Sequence, residues 1–184
     1  MLGVPFIAFA PFVGVAIGVY LFGKISINPA VTVGYLITGH IRRIQLVYYF
    51  AAEIIGAMVA SIFVKYFIGS QAHLGANTFN HSYPILVVFG TEVVASALLM
   101  AVILTVVYTK GLKGLSGIAI GGIVGLDIFF LSFISGASMN PAHSLAPALL
   151  SGMLKDLWIY CPATFIGTTI VAFAFRKNLR TKSD

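Results

Sequence analysis

Charge is what this sequence has least of. Only 9% of its 184 residues are Asp, Glu, Lys or Arg, the acids number five, and 59% are hydrophobic, for a mean hydropathy of +1.02. Soluble domains carry roughly 25% charged residues, so the shortage excludes that class. A single cysteine, Cys161, excludes an internal disulfide and reads as buried apolar filler. The apolar stretches show no alternation of period two, which excludes a membrane barrel. Backbone groups in lipid must then be satisfied within helices, so the fold class is all-α. Enzyme signatures are missing as well: no nucleophile stands beside a base and there is no phosphate loop. The four histidines, His40, His73, His81 and His143, lack metal-site spacing. No catalytic residue, metal or cofactor is expected.

What is present is apolar length. A bilayer core of about 30 Å needs about twenty helical residues, and five stretches qualify: Leu2 to Phe22, Ile44 to Val64, Ile85 to Tyr108, Leu115 to Ile134, and Leu157 to Phe175. The first is too long for a signal-peptide core and reads as a retained span. Alternating spans would put Lys24, Arg42, Arg43, Lys110, Lys113, Arg176, Lys177, Arg180 and Lys182 on one side, with only Lys65 and Lys155 on the other. That bias predicts a multi-pass protein of the cell membrane with its amino terminus outside and its carboxyl terminus cytoplasmic. It also accounts for the +6 charge without a nucleic-acid partner.

One phrase occurs twice, Ser26-Ile27-Asn28-Pro29-Ala30 and Ser138-Met139-Asn140-Pro141-Ala142. In each copy Asn is a favoured helix cap and Pro a favoured first helical residue. The apolar stretches that follow, Pro29 to Ile37 and Pro141 to Leu150, are too short to cross the membrane. They predict two half-helices that enter from opposite faces and meet, start to start, near the midplane. Each start carries unpaired N–H groups and a partial positive charge, and inverted half-helices meeting at mid-membrane mark a solute pathway. The repeat goes further, since Glu53-Ile54-Ile55-Gly56 and Thr164-Phe165-Ile166-Gly167 follow their Asn at nearly equal offsets. Glycines there predict close helix packing.

Through Asn28-Pro29-Ala30-Val31-Thr32, Gly136 to Ala142, and Ser144-Leu145-Ala146-Pro147-Ala148-Leu149, the chain resembles the aquaporin and glycerol-facilitator family, the major intrinsic proteins. The resemblance implies one channel domain over 1–184, with a first repeat over 1–68 and a second over 85–176. It implies an inverted-repeat bundle of five full spans and two re-entrant Asn-Pro-Ala half-helices, assembled as a homotetramer. Each subunit would then be a passive pore for water and small neutral solutes such as glycerol, ammonia or hydrogen peroxide. The amides of Asn28 and Asn140 would donate to a passing water and stop it relaying protons, while the helix starts repel cations. An ion-coupled carrier is the alternative, and a non-conducting subunit the third reading.

The same resemblance places a selectivity constriction at Ile128, Ala137 and His143, with a fourth member among Phe6, Ile7, Ala8 and Phe9; Phe6 and Phe9 are the aromatic candidates. Ile128 resembles archaeal members, and Ser144 and Ala148 the water-channel branch. His143 stands where the family nearly always has Arg. With a reference pKa of about 6.5 it can be neutral, so the filter is expected to lose its fixed cation; either acid adds a charge there that changes conduction, or the neutral imidazole is a hydrogen-bonding spacer without pH response. Three acids lie within spans, Glu53, Glu92 and Asp127, where ionisable groups are costly. Glu92 matches a family Glu that accepts hydrogen bonds from a re-entrant loop; supporting roles are expected for the other two. Only one full span precedes Asn28 where the family has two, so the sequence is expected to lack the family's first helix.

Overall fold

The computed structural model describes residues 4–23 and 25–180; Lys24 and Lys182, assigned above to the basic side, lie outside the described residues. Among the described residues seven α-helices follow one another: α1 (Val4–Phe22), α2 (Pro29–Ile37), α3 (Arg43–Phe63), α4 (Ile85–Tyr108), α5 (Ser116–Ser135), α6 (Pro141–Ser151) and α7 (Leu157–Arg180). A π-helical turn, Val64–Ile68, prolongs α3, and among the described residues there is no strand. Among the described residues five helices are long and apolar enough to cross a membrane, one at each expected span; Leu2 and Gly3 of the first expected span lie outside the described residues. The remaining two, α2 and α6, are nine and eleven residues long, the second one residue longer than its sequence suggests. At 1.5 Å per residue they reach only about half of a bilayer core.

Successive spans reverse direction. Residues 37–43 and 108–116 therefore share one end of the bundle with the end of α7, and residues 64–85 and 151–157 share the other. Arg42, Arg43, Lys110, Lys113, Arg176 and Lys177 lie at the first end, Lys65 and Lys155 at the second. Packing follows the repeat: α1 lies along α5, α4 along α7 and α5, while α2 leans on α7 and α6 on α3. Without a hydrophobic drive between helices in lipid, small residues set these crossings. Gly117, Gly121 and Gly125 form a stripe on α5; a Cβ at Gly121 would lie 2.4 Å from the Phe12 carbonyl oxygen of α1. On α7 a Cβ at Gly167 would lie 2.2 Å from the Val93 carbonyl oxygen of α4. Gly56, its counterpart on α3, has nothing within 4 Å of such a Cβ. The matched offset thus marks a close helix contact in the second repeat only.

Candidate functional site: a cavity at the meeting of two half-helices

Both half-helices start as their sequences require. Asn28 and Asn140 hold nearly the same extended backbone, φ −146° and −142°, before Pro in the first turn. The Oδ1 atom of Asn28 accepts from the Ala30 N–H at 3.0 Å and the Val31 N–H at 3.5 Å. That of Asn140 accepts from Ala142 at 3.0 Å and His143 at 3.4 Å. Each cap thereby satisfies two of the donors a helix start leaves open.

The amide nitrogens then link the repeats. Asn28 Nδ2 donates to the Met139 carbonyl at 2.8 Å, and Asn140 Nδ2 donates to the Ile27 carbonyl at 3.0 Å. Each loop leading to one half-helix is therefore held by the cap of the other, which fixes the two starts face to face. An NH₂ group has two donors, so each Asn keeps a second N–H beyond this bond. The repeated Ser is explained too. Ser26 Oγ donates to the Asn28 carbonyl at 3.0 Å and accepts from its N–H at 3.2 Å. Ser138 Oγ does the same for Asn140, at 3.1 and 3.4 Å.

Beside these caps runs a cavity of about 370 Å³. Its wall takes residues four apart from three helices: Ile7, Pro11, Val15 and Val19 of α1, Leu99 and Ile103 of α4, and Ile120, Val124, Ile128 and Ser132 of α5. Asn28, Asn140, Ala137 and His143 complete the line of polar and small groups. Pro29, Ala30, Pro141 and Ala142 lie buried behind the two Asn. A four-residue step keeps one face of a helix, which decides the register of α1. Phe6 and Phe9 are 63% and 60% exposed and are not in the wall; Ile7 is. At 100° per residue Phe6 sits a quarter-turn from Ile7, and Phe9 more than half a turn. Of the four candidates the cavity wall therefore takes Ile7, while Phe9 packs on Phe12, ring centroids 5.8 Å apart.

The two loops are supported differently. Gly136, Ala137 and Met139 all have positive φ, 89°, 49° and 55°. For the two non-glycines this costs on the order of 1–2 kcal/mol each. Glu92, fully buried on α4, restrains them: Oε1 accepts from the Ser138 N–H at 3.0 Å and Oε2 from the Met139 N–H at 3.2 Å. In the first repeat Glu53 of α3 accepts from Thr32 Oγ1 at 2.6 Å through one oxygen, and its other oxygen is buried without a partner. Asp127 is buried on α5, its Oδ2 also unpartnered.

One participant had no signal in the sequence. Asn77, in the uncharged loop before α4, lies in the cavity wall. Its Oδ1 accepts from Ser144 Oγ at 3.0 Å and meets His143 Nδ1 at 3.3 Å, while its Nδ2 donates to the Gly136 carbonyl at 3.4 Å. Ser144 also bonds Ser138. Nothing local could have announced a residue whose partners lie 59 to 67 positions away.

A family model described as Major intrinsic protein matches residues 1–175. Among curated proteins the chain is 34% identical over 167 residues to Aquaporin NIP2-1 of Zea mays, covering 88% of this chain and 55% of that protein. It is 34% identical over 180 residues to Aquaporin NIP3-1 of Arabidopsis thaliana, covering 92% and 56%. The chain therefore spans about half the length of these curated relatives. Its fold is similar to that of the aquaglyceroporin of Plasmodium falciparum, at TM-score 0.72 and 22% identity, with 92% of this chain and 78% of that chain covered.

Proposed function

This chain belongs to the major intrinsic protein family, and from that premise we propose that it forms a passive pore for water and small uncharged solutes, glycerol, ammonia and hydrogen peroxide among them. The observation that carries the reading is the pair of Asn amides. Each spends one Nδ2 proton on the opposite loop and keeps one for the cavity it lines.

A permeant oxygen reaching this level accepts from both amides and meets aliphatic wall elsewhere, at Val31, Leu99, Ile103 and Val124. A water held in this way orients both its protons outward from the centre. Neighbouring waters then cannot pass a proton through it, and the electropositive helix starts oppose any cation. Neither step forms or breaks a covalent bond, so the activity is transport and not catalysis.

Selection would begin nearer the end of the bundle that carries Lys65 and Lys155. There Ile7, Ile128, Ala137 and His143 form the constriction, and the Asn77 carboxamide steadies the imidazole. Imidazole in place of a guanidinium removes a permanent charge and four of five donors, which leaves a filter set more by size and apolar contact. Glu92 serves as the carboxylate that keeps the second loop in shape. The cytoplasmic face would be the end bearing Arg42, Arg43, Lys110 and Lys113, and the assembly a homotetramer with one pore per subunit. In support, the curated relatives are named aquaporins and the structural neighbour an aquaglyceroporin.

Stopped-flow light scattering of reconstituted vesicles under water, glycerol and ammonium gradients tests the reading. Osmotic shrinkage faster than in protein-free vesicles, with no imposed H⁺ or Na⁺ gradient, is expected. Shrinkage at the protein-free rate, or transport that needs such a gradient, overturns it. His143→Arg should slow neutral solutes larger than water; unchanged selectivity would remove His143 from the filter.

A further inference from the structure

A second cavity, of about 290 Å³, lies beyond the first toward the end of the bundle that carries Lys113. The two voids are distinct, yet their walls share four residues: Val19, Ile25, Tyr35 and Ile120. Those four line both voids and so bound any neck that joins them. Three are aliphatic, and Tyr35 alone brings bulk together with a hydroxyl that can both donate and accept.

Tyr35 lies on α2, on the face that also presents Asn28 and Val31 to the first cavity, at steps of three and four residues. A passage that leaves the Asn pair along α2 meets its ring next. The ring is 5% exposed and clamped from behind. His40 stacks on it, centroids 5.2 Å apart and planes 22° from parallel. The imidazole is fixed in turn: Nδ1 bonds the Tyr108 hydroxyl at 2.8 Å and that hydroxyl donates to the Thr38 carbonyl at 3.0 Å, while the His40 backbone N–H donates to the Tyr35 carbonyl at 2.8 Å. Tyr108 packs its ring against Phe175, centroids 5.0 Å apart. A side chain with two rotatable bonds, buried and stacked, does not swing out of a neck at little cost.

We propose that Tyr35 makes a second, independent selection between these cavities. Its ring sets the width, its hydroxyl offers the hydrogen bond a permeant loses on leaving Asn28, and His40 is the positioning residue that holds the ring in place. The solutes this neck admits are water and neutral molecules of similar size, while three-carbon and larger polyols are retarded. The inference rests on the pore reading above and narrows it.

Reconstituted full-length chain carrying Tyr35→Ala, Tyr35→Leu, Tyr35→Phe or His40→Ala, measured by light scattering with glycerol and with a five-carbon polyol, tests it. Tyr35→Ala and Tyr35→Leu should raise the glycerol-to-water permeability ratio by about tenfold, which corresponds to about 1.4 kcal/mol of barrier. Tyr35→Phe, which keeps the ring, should exclude polyols as before but slow water several-fold. His40→Ala should raise the polyol ratio by less than Tyr35→Ala. A general loosening of the fold would move water and solutes together and leave the ratio alone. If wild-type vesicles conduct water while neither Tyr35→Ala nor Tyr35→Leu changes the ratio, the neck is not selective and the inference falls by itself. If wild-type vesicles conduct nothing, the pore reading falls first and takes this one with it.

Discussion

The two half-helices begin with the same five-residue pattern, the same Asn geometry and the same Ser bridge, but they are held in place by different means. The second repeat is closed. Glu92 engages two backbone N–H groups of a loop whose Ala137 and Met139 are both left-handed, and Gly167 draws α7 against α4. The first is open. Glu53 bonds the Thr32 hydroxyl, with Ser26 and the Asn28 backbone beside it, leaves an oxygen without a close partner, and shares α3 with a Gly56 that faces open space. Even the residue four places after Asn is served differently, Thr32 by an acid and Ser144 by Ser138 and Asn77. A motif repeated in sequence thus fixes the geometry of a helix start without fixing the scaffold behind it.

The comparison breaks most readily at the two acids. Glu92→Ala orphans two buried N–H groups at roughly 1–3 kcal/mol each, so a loss of roughly 2–6 kcal/mol is expected. Glu53→Ala removes one hydrogen bond together with an unpartnered oxygen, and should cost about 1 kcal/mol. Thermal unfolding in detergent micelles reads both; equal losses would mean that the first loop is as dependent on its acid as the second.

The glycines come next. Gly167→Ala places a methyl against a backbone carbonyl of α4 and should destabilise by about 1–3 kcal/mol, as overpacking does. Gly56→Ala meets no neighbour and should be neutral, or stabilising by up to about 1 kcal/mol, from helix propensity alone. The same melts decide, and a Gly56→Ala loss as large as that of Gly167→Ala would show α3 packed against a surface outside the described residues.

The smallest contrast is between the caps, where symmetry is closest. Asn28→Ala and Asn140→Ala should each cost about 0.5–2 kcal/mol and differ from one another by less than the acids do. Both should raise proton leak relative to water flux in vesicles loaded with a pH-sensitive dye. If only one did, a single amide would break the proton chain.

Much of this could be read from the chain before any coordinates. Apolar length placed the five spans, and Asn-Pro placed both half-helix starts to the residue, because capping is local chemistry. The repeated Ser was visible as well, though not its bridging bonds. Of the four candidates Phe6, Ile7, Ala8 and Phe9, helical phase carried from Pro11 and Val15 leads to Ile7, the one that lines the cavity. Asn77, and the bond that ties Tyr108 to His40, depend on contacts between distant segments, which carry no local signature.

The sequence by itself determined that this chain lives in a bilayer and that two short helices begin at Asn28 and Asn140, since hydropathy, length and capping act over a few neighbouring residues. Tertiary structure alone decided how those starts are braced and which side chains face the cavity. Bracing requires a carboxylate and an amide N–H to come within about 3 Å across tens of positions, and only the packed bundle sets that distance.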